Sequence, residues 1–220
     1  MNAGGVGMGE KFEGLSKEKR QRIINAGFEV FSQNDYRRAS TDVIAARAGI
    51  SKGLLFYYFR NKKSLYLYLF DYLKKMLIKL VVDKKFMEIT DFFELLEYST
   101  QKKMEIWQKH PYLLDFAMRT YFSEKEEVSP FLKKTYKELE EVLYRQCFSH
   151  VDTYKFREGC DPFHVLKLLV WMSDGYLREV NMRGNGWDME EIKKEYDGWI
   201  RMLRREAYKE LYWREEDKWV

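Results

Sequence analysis

The chain has 220 residues, 45% of them hydrophobic and 17% aromatic, enough to bury a sizeable core in one compact unit or in a small domain joined to a larger one. No uninterrupted apolar run approaches the ~20 residues that span a bilayer, and two cysteines, Cys147 and Cys160, make no disulfide framework, which points to a reducing cytoplasm. The net charge of +4 is unevenly placed: residues 1–64 hold 12 Lys/Arg against 6 Asp/Glu, whereas residues 65–220 hold 27 against 29.

The opening MNAGGVGMGEKF lacks the basic start and apolar core of a secretory signal and reads as a flexible arm, residues 1–14. A first helix is expected over Lys17–Gln33, capped by Ser16, with Ile23, Ile24, Phe28 and Phe31 on one face. Asn34 and Asp35 end it, and Tyr36 packs back. Ser40 or Thr41 caps a second helix that turns Val43, Ile44 and Ala48 inward. Gly49 stops that helix, Ile50 anchors the turn, and Ser51 caps a third helix over Lys52–Phe59. Asn61 caps a long fourth helix reaching about Lys84, apolar on more than one face. Further helices are expected from Thr90 or Asp91 to Lys109, from Pro111 to Phe122, and from Ser129 to Ser149. Two more run from Pro162 to Arg183, ended by Gly184-Asn185-Gly186, and from Asp188 to about Trp213. With 3 prolines and few alternating β-branched runs, the fold class is all-α, with about nine helices.

The segment STDVIAARAGISKGLLFYYF, Ser40 to Phe59, is two short helices joined by a tight turn. This is a helix-turn-helix pattern, whose second helix enters the major groove of DNA. The basic excess of residues 1–64 coincides with it, as a polyanion-binding head requires. The stretch Arg22 to Leu65 resembles the tetracycline-repressor (TetR) family of bacterial transcription regulators. The likeness rests on Arg22-Ile23-Ile24, Ala26, Phe31, Tyr36, Thr41, Ile44-Ala45, Ala48-Gly49-Ile50-Ser51, Lys52-Gly53, Leu55, Tyr58-Phe59, Lys62 and Leu65. Asp35 stands where the family has glycine, Phe56 where it has tyrosine, and Leu54 where it has a small or polar residue.

The resemblance implies an N-terminal three-helix DNA-binding domain, residues 15–64, joined by a long helix to a helical ligand-binding and dimerisation domain, residues 65–220. It implies a homodimeric repressor released from a near-palindromic DNA operator by a small molecule. Thr41, Lys52, Tyr57, Tyr58 and Lys62 are the expected phosphate contacts. Gly53 permits close approach, Leu54 and Phe56 meet base edges or a thymine methyl, and Ser51 caps the helix or joins the contact set. In the body, Trp107, Tyr112, Phe116, Tyr121, Tyr144, Phe148 and Trp171 are candidates to line an effector pocket suited to an apolar or aromatic ligand. Each has ordinary packing as its plainer role. Leu168, Met172, Tyr176, Trp199, Ile200 and Leu203, on the last two helices, are candidates for a four-helix dimer interface, with intrachain core as the alternative.

An enzyme is disfavoured. His110, His150 and His164 show no metal-type spacing, and Cys147 with His150 makes only a weak pair. No phosphate loop or nucleophile elbow is present, so neither a metal nor a cofactor is expected. The other reading is a ligand-independent DNA-binding regulator, or an activator, with a packed helical body.

Overall fold

The computed structural model describes residues 11–217, apart from the side chains of Pro111 and residues 140–147. Its regular elements are helices: α1 Lys17–Gln33, α2 Thr41–Ala48, α3 Lys52–Phe59, α4 Lys62–Val81, α5 Lys84–Glu88, α6 Phe92–Lys109, α7 Pro111–Tyr121, α8 Ser129–Cys147, α9 Pro162–Arg183 and α10 Met189–Ala207. Among the described residues the one β-type feature is an isolated bridge, Phe156 to Tyr208. The chain divides into two compact units. One comprises the chain through Lys79 together with Ile106–Glu138; the other comprises Leu80–Glu105 and the chain from Leu139 onward.

In the first unit, α1 lies against α2 and α7. Its stripe of Ile23, Ile24, Phe28 and Phe31 is buried, as the 3.6-residue period requires. Phe28 and Phe31 meet the Phe116 ring of α7 at centroid distances of 5.1 and 6.4 Å, and Tyr66 of α4 closes on Phe31 at 4.8 Å. At Gly27 a Cβ would stand 2.6 Å from Leu69 Cδ1, so α1 and α4 approach as closely as a glycine allows. Arg119 of α7 donates to the Ser32 carbonyl at 2.6 Å and to Asp35 at 3.2 Å, tying the end of α1 to α7.

Several expectations need correction here. Residues 1–10 of the expected arm lie outside the described residues. Residues 11–13, the next part of it, are helical. Phe12 is fully buried, with its ring 5.9, 4.7 and 5.2 Å from those of Tyr58, Phe59 and Tyr68. A glycine-rich opening does not prevent one aromatic side chain from docking. Val43, expected inward, is 41% exposed; on an eight-residue helix Thr41, Ile44, Ala45 and Ala48 already fill the buried face. The long fourth helix ends at Val81 rather than Lys84. Asp83 accepts from the Phe86 N–H at 2.9 Å and starts the separate α5, a short polar side chain competing for the backbone. α7 ends at Tyr121 rather than Phe122, and α8 ends at Cys147 rather than Ser149.

In the second unit the core joins Phe92, Phe93 and Leu96 of α6 to Val165 and Leu169 of α9 and to Ile200, Leu203 and Ala207 of α10. The final helix ends at Ala207, not Trp213, because Tyr208 leaves the helix to enter this core. Its ring lies 4.9 Å from both Phe93 and Phe156, and its hydroxyl accepts from the Phe92 N–H at 3.2 Å. Arg157 then donates to the Ala207 carbonyl at 2.9 Å, and Lys209 to the Lys155 carbonyl at 2.9 Å. The segment beyond folds back until Asp217, fully buried, meets the buried guanidinium of Arg204 at 3.3 Å; Glu97 is a second partner of that guanidinium. A buried cation is tolerable only when its charge is met in this way.

Candidate nucleic-acid interface

The turn between α2 and α3 is set by backbone geometry that only certain residues supply. Gly49 has φ +68°, ψ +37°; its N–H donates to the Ala46 carbonyl at 3.1 Å while that of Ile50 donates to Ala45 at 3.0 Å. This paired closure of a helix end needs a left-handed residue, which glycine adopts without a Cβ clash. Two residues on, Ser51 Oγ accepts from the Leu54 N–H at 3.2 Å, and α3 begins. Ser40, rather than Thr41, plays the same part for α2, accepting from Val43 at 3.5 Å.

The helix α3 is two-faced. Leu55, Tyr58 and Phe59 are buried against the unit. Ser51, Lys52, Gly53, Leu54 and Tyr57 form the outward side, with Tyr57 57% and Leu54 37% exposed and Phe56 half-buried at its edge. A Cβ on Gly53 would meet nothing nearer than Ser51 Oγ at 4.0 Å, so the backbone there is open to an approaching surface. Lys52 pairs with Asp42 at 2.9 Å, both exposed. Tyr58, expected as a phosphate contact, presents almost none of its surface, and Thr41, the first residue of α2, is 9% exposed. Lys62 is half-buried. It donates to the Arg37 carbonyl at 3.0 Å and lies 4.9 Å from the Tyr36 ring centroid. Burial pulls its ammonium below the usual lysine range, against an opposing pull from Glu126.

Three features here carry no local sequence signal. Lys11 places its ammonium 4.5 Å over the Tyr57 ring, adding a cation beside the outward face. Arg47 pairs with Glu29 at 2.9 Å. Arg37 is held by the 123–129 segment, its N–H donating to Glu126 at 3.3 Å and its guanidinium to the Lys125 carbonyl at 3.2 Å.

Residues 23–69, which contain all of this turn, match the family model described as bacterial regulatory proteins, tetR family. Over these residues the chain is similar to the tetR family. The sequence is 40% identical over 55 residues to an uncharacterized HTH-type transcriptional regulator, TtgW, of Pseudomonas putida, covering 25% of this chain and 41% of that protein. It is 35% identical over 54 residues to the fatty acid metabolism regulator protein of Bacillus subtilis, covering 24% of this chain and 28% of that protein. The chain therefore spans less than half the length of these two relatives. Beyond the head the likeness is one of fold: the fatty acid degradation regulator FadR from Bacillus halodurans superposes with a TM-score of 0.65 at 18% identity, over 84% of this chain and 97% of that one.

Outside the tetR-like head, the aromatic residues expected around an effector are dispersed. Trp107, Tyr112, Phe116 and Tyr121 belong to the first unit; Phe148 and Trp171 belong to the second; the side chain of Tyr144 lies outside the described residues. Phe116 is fully buried in the aromatic cluster under α1 and Trp107 is 9% exposed, whereas Tyr112 and Trp171 are 45% and 59% exposed. A cavity of about 460 Å³ in the second unit is polar instead: Lys85, Glu97, Tyr98, Lys193, Arg201 and Arg214 are among its walls, and none of the expected aromatics lines it. Of the residues expected between two copies, Ile200 and Leu203 belong to the unit's own core, while Met172, Tyr176 and Trp199 are half-buried and Leu168 is 46% exposed. Among the described residues no helix is long and apolar enough to cross a membrane.

Proposed function

We propose that this chain is a homodimeric transcriptional repressor of the cytoplasm that grips a near-palindromic operator through α3 and lets go when a small molecule occupies the body. One observation carries the reading: α3 is capped, wedged on its buried side by Leu55, Tyr58 and Phe59, and offers Lys52, Gly53, Leu54 and Tyr57 outward next to a basic head. An amphipathic helix with a polar, cationic and partly apolar free side is suited to a groove lined by phosphates and base edges. On this reading Lys52, Tyr57 and Lys62 meet phosphates, Leu54 and Phe56 meet bases, Gly53 allows close approach, residues 15–64 act as the DNA-binding domain, and residues 65–220 act as the ligand-binding and dimerisation domain.

The exposed apolar side chains of α9, Leu168 and Trp171, support its use as the surface for a second copy, with Met172 and Tyr176 at its margin. A two-fold dimer would set its recognition helices ~34–36 Å apart, or a multiple of that. Likeness in the head to a regulator named for fatty acid metabolism favours an apolar or aromatic effector. Selection of bound duplexes from a random pool tests the central claim. Enrichment of a near-palindrome is the expected result, and a pool that stays random after repeated rounds refutes it.

A further inference from the structure

The head's cations are not all free to meet phosphate. The segment Ser123–Ser129, which joins α7 to α8, is a built structure: Ser123 and Ser129 are buried with their hydroxyls 2.6 Å apart, Ser129 Oγ accepts from the Glu126 N–H at 3.0 Å, and Val128 is fully buried. This framework aims two carboxylates at the head. Glu127 pairs with Lys63, the second residue of α4, at 3.0 Å, and accepts from the Tyr36 hydroxyl at 3.3 Å. Glu126 accepts from the Arg37 N–H. Lys63 adjoins Lys62, and Arg37 lies in the turn before α2 whose carbonyl Lys62 holds, so both acids stand at one edge of the same basic surface.

We propose that the 123–129 segment is an intrachain counter-anion of the DNA-binding head: Glu126 and Glu127 occupy Lys63 and the Arg37 turn in the free protein, compete with DNA phosphates, and so set the affinity for duplex DNA. The inference rests on the DNA-binding reading above. Its physical basis is that a carboxylate paired with Lys63 must be displaced before a phosphate can take its place, and that an unpaired carboxylate beside DNA repels it. The acids are thus tuning residues that act through the cations they hold.

The test uses the full chain and a 30-base-pair mixed-sequence duplex, titrated from about 50 to 300 mM KCl. Glu126→Gln/Glu127→Gln should bind ~3–10-fold more tightly at the lowest salt, with a salt slope steeper by ~1 as Lys63 gains a phosphate. Glu127→Asp, which keeps the charge, should hold the parental slope. Adding Lys63→Ala to the Gln pair should cancel the gain, although alone it changes little. A loop that merely props the head would give weaker binding at an unchanged slope, and that result overturns the proposal, as does an unchanged affinity. The single variant Glu127→Gln, which alters the exposed Lys63 pair and the bond from the Tyr36 hydroxyl but keeps Glu126, repeats the test if the double variant melts early. If the parental chain ignores duplex DNA, the DNA-binding reading falls and takes this proposal with it; if the parental chain binds and the variants do not gain, only this proposal falls.

Discussion

Lys52 and Lys62 each carry an ammonium group on the head, yet their surroundings differ, and substitution should separate two effects. Lys52 sits in an exposed pair with Asp42, of a kind worth about 0–1 kcal/mol. Lys62 is half-buried, donates to the Arg37 carbonyl and covers the Tyr36 ring. Alanine at either should weaken binding across many duplex sequences and flatten the salt slope by ~1. Only Lys62→Ala should also lower the melting temperature. Leu54→Ala and Phe56→Ala should instead change which sequences are preferred, as a competition assay with mixed duplexes would read. Gly53→Ala gives an opposed pair of effects. Its Cβ enters open space, so the fold should gain about 0.5 kcal/mol from a stiffer unfolded chain, while duplex affinity falls because a methyl group now stands between backbone and DNA. A Gly53→Ala chain that binds as tightly as the parent would remove close approach as the reason for glycine there.

Among the elements, α1 and α10 show how one contact decides a boundary or a crossing. At Gly27 an alanine methyl would lie 2.6 Å from Leu69 Cδ1, so α1 and α4 must part or Leu69 must change rotamer. Gly27→Ala should cost about 1–3 kcal/mol in urea unfolding, despite alanine's better helix propensity. The end of α10 depends on the segment that follows it. Asp217→Ala removes the fully buried partner of Arg204, leaving the half-buried Glu97 and the more exposed Glu216. A loss of about 3 kcal/mol is expected, since a buried guanidinium loses part of its compensation. Arg204→Met should be milder, because it removes the buried charge itself, although among the described residues Asp217 then keeps only its side-chain bond from the Arg214 N–H.

At the scale of the whole molecule, two measurements bear on assembly and on stability. If α9 carries the dimer contact, Leu168→Glu with Trp171→Glu should yield a monomer by sedimentation without loss of helical circular dichroism, because both side chains are exposed in the single chain. That monomer should bind an operator far more weakly than the parent, having lost the second half-site. Alkaline pH should unfold the protein early. Burial, with Glu127 close by, pushes the Tyr36 phenol up to about 12, and burial does the same at Tyr136 and Tyr196. Unfolded, these phenols ionise near 10. The folded state therefore holds protons that the unfolded state releases, so stability is intact below pH 10 and falls as the pH rises towards 12. A melting series from pH 8 to 12 should show a plateau and then a decline; a flat profile would refute it.

What could be read from the residues alone is what short-range chemistry fixes. Gly49 and Ser51 specify the turn because the hydrogen bonds they make reach no further than five residues along the chain, and the same holds for Ser16, Asp161 and Asp188 at the starts of α1, α9 and α10. Those local rules, with the apolar stripe of α1, were enough to outline an all-helical chain with a tetR-like head. Tertiary structure alone decided the rest: that Phe12 docks, that Tyr208 leaves the helix for the core, that Phe116 is cluster and not pocket, and that Glu126 and Glu127 face the head some ninety residues away. The physical reason is range. A cap or a turn is complete within one or two helical turns, whereas burial and ion pairing depend on which distant surfaces the folded chain brings together, and no local pattern encodes that choice.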